Sequence, residues 1–197
     1  TGGGGGLWIE NINTELILKN SSVEYNRATS GNGGGISVFN GALCTIASSI
    51  IQNNTASGYG GGIIVRQTNS KLVVQSSVIQ FNEAKWGGGI ECYDGSSFTM
   101  SSSSIIANVA SQDGGGLYVW KACSATLKKI LMKGNDATSG LSIEIGPYPS
   151  QMPTIYIINV KFGAFNAFTS IEGGNNSVKN CSTASTQCTD NGYINPI

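Results

Sequence analysis

Residues 87–117 read GGGIECYDGSSFTMSSSSIIANVASQDGGGL, opening and closing on almost the same four-residue phrase 27 positions apart. The interval holds in the N-terminal direction, at Gly60-Gly61-Gly62-Ile63 and Gly33-Gly34-Gly35-Ile36. An earlier copy stands at Gly4-Gly5-Gly6-Leu7 and a worn one at Ser139-Gly140-Leu141. A second landmark, Asn-x-Ala, recurs at Asn26, Asn54, Asn82, Asn108 and Asn135. Alignment on this Asn brings other apolar files into register. Ten residues before it stand Leu16, Cys44, Leu72, Phe98 and Ala125; eight before, Leu18, Ile46, Val74, Met100 and Leu127; three before, Val23, Ile51, Ile79, Ile105 and Met132. A fixed period of this length is the mark of a repeat architecture.

Each glycine run leads into strict alternation, with Leu7/Ile9, Ile36/Val38, Ile63/Val65, Ile90/Cys92, Leu117/Val119 and Leu141/Ile143 on one face. Period two means strand. One repeat thus reads as about three short strands joined by corners, with no helical periodicity. A single coil cannot bury its apolar side, but coils stacked ~4.8 Å apart share a continuous core and pair their backbones with the coils above and below. Parallel strands connected in this way wind right-handed. Leucine-rich repeats need a Leu-x-x-Leu-x-Leu pattern that is missing here, and propeller blades need ~40 residues or more. The expected fold is all-β, a right-handed parallel β-helix of about six coils over residues 1–172. A loop near 146–153 is expected to interrupt coil six, a strand to resume over 154–162, and residues 173–197 to form a cap or polar tail.

The repeated residues have structural work under this reading. A file of Asn26, Asn54, Asn82, Asn108 and Asn135 at one corner hydrogen-bonds coil to coil through side-chain amides. The glycines supply positive φ and close backbone approach at another. A phosphate cradle is not indicated, because no Lys-Ser/Thr follows the glycines and no helix starts there.

Apolar residues make up 40% of the 197, but charged residues only 11%, with 11 basic and 11 acidic side chains. Nucleic-acid binding needs clustered Lys and Arg, and there is no such cluster. No run of 18 apolar residues is present to span a membrane. The chain opens without Met inside a glycine run, and the expectation is a processed protein or a piece of a longer one. Among the five Cys, Cys181 and Cys188 are disulfide candidates, whereas Cys44 and Cys92 fall at core positions and read as buried thiols. The sequons at Asn20, Asn53, Asn175 and Asn180 are N-glycosylation candidates. Composition, sequons and cysteines together point to an extracellular or cell-surface location.

The two landmarks resemble the repeats of the polymorphic outer-membrane proteins, surface adhesins whose passenger domains carry Gly-Gly-Ala-Ile/Leu/Val and Phe-x-x-Asn. Here the second element reads Val23-Glu-Tyr-Asn26, Ile51-Gln-Asn-Asn54, Ile79-Gln-Phe-Asn82, Ile105-Ile-Ala-Asn108 and Met132-Lys-Gly-Asn135. The resemblance covers residues 1 to about 145, with a degenerate continuation at Gly163-Ala-Phe-Asn166. It implies a surface-exposed adhesive or scaffolding solenoid, and because its motifs are structural it carries over no catalytic residues.

The chain has no His, which removes Ser-His-Asp and Cys-His catalysis and His-ligated zinc. No cofactor or metal is expected. An enzyme alternative remains, because acidic polysaccharides are cleaved by other β-helices. Glu91, Asp94 and Asp113 come nearest to the carboxylate cluster required, with Arg66 or Lys121 as base, but all five read better as solvated surface charges, and a non-enzyme is expected. The stronger signal is aromatic. One step past each conserved Ile or Leu stand Trp8, Ser37, Ile64, Glu91, Tyr118 and Ser142; three steps past, Glu10, Phe39, Arg66, Tyr93, Trp120 and Glu144; Tyr59 and Trp86 precede their glycine runs. By alternation these residues point outward. Trp8, Phe39, Tyr59, Arg66, Trp86, Tyr93, Tyr118 and Trp120 are therefore expected to line one outer sheet. They would serve there as a contact surface for other protein subunits or for glycans, or simply as cross-coil packing with Arg66 resting on Phe39 or Tyr93.

Overall fold

The computed structural model describes residues 4–138, 143–145, 154–158 and 160, and the backbone of strands 161–162, 170–171, 177–181 and 188–190. Every described element is a strand or a turn. Strands 27 or so residues apart pair in parallel, so the chain winds as a β-helix. Five regular turns are described, and strands of later turns continue the stack.

The first sheet stacks the strands that follow the glycine runs: Leu7–Glu10, Ile36–Phe39, Ile63–Arg66, Ile90–Tyr93, Leu117–Val119, Ile143–Ile145 and Ser170–Ile171. The second stacks the five-residue strands Glu15–Lys19, Leu43–Ala47, Lys71–Gln75, Ser97–Ser101, Ser124–Lys128 and Thr154–Ile158, followed by Ser177–Cys181 and Cys188–Asp190. The third runs through Ser22–Glu24, Ile50–Gln52, Val78–Gln80, Ser104–Ile106, Leu131–Lys133 and Lys161–Phe162. A fourth, not expected from the sequence, stacks Arg27–Ala28, Thr55–Ala56, Glu83–Trp86 and Val109–Asp113 just past the Asn corner.

Alternation puts one side of each of the first three sheets inside. Ile36, Val38, Cys44, Ile46, Ile51, Ile63, Val65, Val74, Ile79, Ile90, Met100, Ile105, Leu117 and Val119 have no exposed surface. Size is balanced between coils, with Phe98 stacked against Ala125 in one file. Beyond the Asn corner the interior narrows. The fourth sheet lies directly against the glycine run, and its buried side chains are the alanines Ala28, Ala56, Ala84 and Ala110. A Cβ on Gly61 would land on the carbonyl oxygens of Gly88 and Glu83, so any side chain there forces two stacked backbones apart.

The Asn file forms a continuous ladder. The Oδ1 of Asn82 accepts from the backbone N–H (3.0 Å) and the Nδ2 (3.0 Å) of Asn54, while its own Nδ2 donates to Asn108 Oδ1 (2.9 Å) and Ile51 C=O (3.0 Å). The same pattern joins Asn26 to Asn54 and Asn108 to Asn135. A second ladder at the corner between the second and third sheets escaped sequence reading. There the Oγ of Ser49, Ser77 and Ser103 accept from the N–H of Ser21, Ser49 and Ser77. Both ladders follow residues in the left-handed region: Ser48, Ser76 and Ser102 before the serines, Tyr25, Asn53, Phe81 and Ala107 before the asparagines. A left-handed residue turns the chain sharply and exposes the next N–H, which a short side chain on the adjacent coil then satisfies.

Two expectations need correction. Cys92 is not a free thiol; it is disulfide-bonded to Cys123, which the turn after Leu117–Val119 brings beneath it. Cys44 is the buried free thiol, its pKa pushed up to about 12 by burial. In the sixth coil Leu117 pairs with Ile143 and Val119 with Ile145, so the inward pair is Ile143/Ile145 instead of Leu141/Ile143. Residues 141–142 and the loop at 146–153 lie outside the described residues. Part of the expected cap or tail extends the second sheet: Ser177–Cys181 pairs in parallel with Thr154–Ile158, then antiparallel with Cys188–Asp190, placing Cys181 opposite Cys188. The side chains of both cysteines lie outside the described residues.

Candidate functional site

The glycine turns shape the outer side of the first sheet. Gly60 has φ +61°, and a Cβ there would stand 2.8 Å from the Cβ of Ile64. Gly87 sits in the same way over Glu91, and Gly114 over Tyr118. Lacking side chains, these turns fold back across the sheet and cover the positions one step past Ile36, Ile63, Ile90 and Leu117. Ser37, Ile64 and Glu91 are completely buried and Tyr118 is 3% exposed. They do point away from the core, as alternation requires, but they form a floor. Tyr118 is therefore no free contact residue. Sequence reading missed the covering because it located the strands without the path of the turns.

Along this floor Glu91 pairs with Tyr118, and Tyr118 with Glu144, on successive coils. Glu144 thus belongs one step past the conserved position, following the corrected register. Burial pushes the Tyr118 phenol far above its ordinary range, and the nearby carboxylates of Asp113, Glu91 and Glu144 add to this. It stays neutral at any physiological pH.

The rim is half-exposed and aromatic. Arg66 clasps buried Glu91 with two bonds, Nε to Oε2 at 3.0 Å and Nη2 to Oε1 at 2.8 Å. Burial raises the Glu91 pKa against the pull of Arg66; burial works to lower that of Arg66, but Glu91 outweighs it. The guanidinium lies over Tyr59 (4.3 Å) and Tyr93 (4.7 Å), and Tyr59 stacks on Trp86 at 4.6 Å. Trp120 meets the rings of Tyr93 and Tyr118 edge-on. One buried Arg–Glu pair therefore locks four coils of rings into a fixed strip, since bidentate pairing holds the guanidinium plane. Trp120 Nε1 is buried with no hydrogen-bond partner among the described residues. Arg66 does not rest on Phe39: Phe39 stacks on Trp8 at 4.6 Å, a separate pair towards the first coil, with Trp8 43% exposed.

Of the candidate acids of a cleaving enzyme, Glu91 and Asp113 both lie near Tyr118, whereas Asp94 is paired with Lys121. Glu91 is buried under Arg66. Asp94 occupies a left-handed turn and binds Lys121 at 2.6 Å, while Asp113 closes its strand opposite Trp86. Among the described residues no three His, Cys, Asp or Glu side chains are placed to hold a metal ion. Of the sequons, Asn20 and Asn53 both sit at left-handed corners, Asn20 exposed and Asn53 half-buried. The side chains of Asn175 and Asn180 lie outside the described residues.

No curated protein and no solved structure matches the chain. The family described as right handed beta helix region matches residues 1–137, which hold the glycine and asparagine repeats and all five regular turns. On that match and the stacked parallel sheets, the chain belongs to the right-handed β-helix family.

Proposed function

We propose that the chain is an adhesive module of an extracellular or cell-surface protein, either a filament subunit or a segment of a longer chain, and that its aromatic strip binds glycans. The observation that carries this is the strip itself: Tyr59, Trp86, Tyr93 and Trp120 held half-exposed and rigid around Arg66. Rings already fixed in place lose little entropy when a sugar stacks on them. The disulfide, the sequons and the low charge support an oxidising, extracellular setting. The likeness of the repeats to those of the polymorphic outer-membrane proteins supports a role at a surface.

The test is retention on a panel of immobilised neutral and acidic polysaccharides. Trp120→Ala should weaken the binding by ~2 kcal/mol, about 30-fold, with an unchanged circular dichroism spectrum. Equal retention of variant and wild type would remove the strip from the reading. Polysaccharide cleavage at the same face is the competing proposal, resting on Glu91 and Glu144 two coils apart, roughly 9–10 Å between Cα atoms, with Tyr118 between them. Turnover of any panel member, abolished by Glu91→Gln or Glu144→Gln, would favour it.

A further inference from the structure

Several exposed apolar side chains gather on one face away from the aromatic strip. Ile50 (40% exposed), Phe81 (53%) and Leu131 (39%) stand on the outer face of the third sheet and its corner, and Tyr25 (76%) stands beside them. This face is in register through five coils. One outward file runs Glu24, Gln52, Gln80, Ile106, Lys133, and the corner file beside it runs Tyr25, Asn53, Phe81, Ala107, Gly134. Exposed apolar side chains gathered on one face, around a hydrogen-bonded file of Glu24, Gln52 and Gln80, mark an interface.

We propose that this face binds a second copy of the same chain, the two solenoids lying antiparallel. The argument is self-complementarity. A two-fold axis along the strand direction through Val78–Gln80 lays each file on itself with the coil order reversed, an isologous contact. Glu24 of one copy then meets Lys133 of the other, and the reverse pair forms by symmetry. Both side chains are exposed; Glu24 Oε2 accepts from Gln52 Nε2 at 2.6 Å, which leaves Oε1 to face Lys133. Tyr25, the bulkiest and most exposed member of the corner file, meets Gly134, its one member without a side chain. Phe81 and Val78 meet their own counterparts on the axis. No like charges face each other in these files; Glu83 lies past the corner on the fourth sheet. Laying the coils parallel instead would leave Glu24 and Lys133 without opposite partners, so charge selects the antiparallel arrangement.

Five coils at ~4.8 Å and four residues at ~3.3 Å give a face of roughly 24 by 13 Å. With side-chain relief counted on both copies, the area buried is on the order of 1,000 Å², the lower end for a specific interface, so the dimer is of modest affinity. A sugar on Asn53 would stand in this interface, and dimer and glycan at that residue exclude each other. The aromatic strips are on another sheet and stay free, which would make the adhesive bivalent.

The experiment is sedimentation equilibrium of protein produced without N-linked sugars, over micromolar to millimolar concentration. A monomer–dimer equilibrium is expected. Glu24→Lys and Lys133→Glu should each weaken the dimer about 10-fold or more, since two pairs turn repulsive at once. Combining them in one chain should restore wild-type affinity. A monomer throughout, or a dimer indifferent to the single reversals or not rescued by the double, overturns the proposal. Circular dichroism separates interface loss from misfolding. Glycan retention of the single variants keeps failure here distinct from failure of the glycan reading, because neither residue touches the aromatic strip.

Discussion

Asn82→Ala removes one rung from the interior of the asparagine ladder. Asn82 has no exposed surface, and four hydrogen bonds vanish with its amide. The Asn54 backbone N–H, one Asn54 amide hydrogen and a lone pair on Ile51 C=O are left without partners, whereas Asn108 Oδ1 keeps the backbone N–H of residue 82. At about 1–3 kcal/mol for each unsatisfied buried group, with relaxation and water entry offsetting part, the loss should be about 3–5 kcal/mol. Asn26 is the internal control. It stands at the half-exposed end of the ladder, where its amide donates to Glu24 C=O at an exposed site and to Asn54 Oδ1, which keeps the Asn26 backbone N–H. Asn26→Ala should cost about 1 kcal/mol or less. Urea unfolding followed by circular dichroism gives both values. Because stacked repeats can unfold piecewise, native-state hydrogen exchange at Asn54 and Ile79 shows whether the loss is local. If Asn82→Ala unfolds within 0.5 kcal/mol of the wild type, or the two variants lose equal stability, the ladder does not hold the coils together.

Gly61→Ala should destabilise by about 2 kcal/mol or more, seen as a lowered urea midpoint, because its methyl overlaps backbone on two sides. Eliminating the Cys92–Cys123 bond by a double Ser substitution should cost about 3–4 kcal/mol, the loop-closure value for a separation of 31 residues; unchanged unfolding without it would refute this. Cys44, with its thiol pushed up to about 12, should resist alkylation at pH 8 in the folded protein and react on unfolding, as read by mass spectrometry. The sign of its pH dependence follows. The unfolded thiol ionises from about pH 9 while the folded one stays neutral, so its contribution to stability is intact below pH 9 and declines above it.

The repeat by itself determined the solenoid. Period-two alternation and a 27-residue interval leave a chain no other way to bury Ile36, Ile63, Ile90 and Leu117 together while pairing its backbone, and both signals are local enough to read in one dimension. The asparagine file was legible for the same reason: an identical residue at a fixed interval stacks on itself once the coils stack. What depended on the path of the chain between strands was not legible. That Cys92 meets Cys123 is a matter of where one turn descends. That Glu144 joins Glu91 and Tyr118 depends on a two-residue shift in a coil whose glycine run has worn away. The covering of Glu91 and Tyr118 comes from glycine turns at positive φ folding outward. Alternation states which way a side chain points, whereas exposure depends on what another stretch of backbone places over it, and only the tertiary structure decides that.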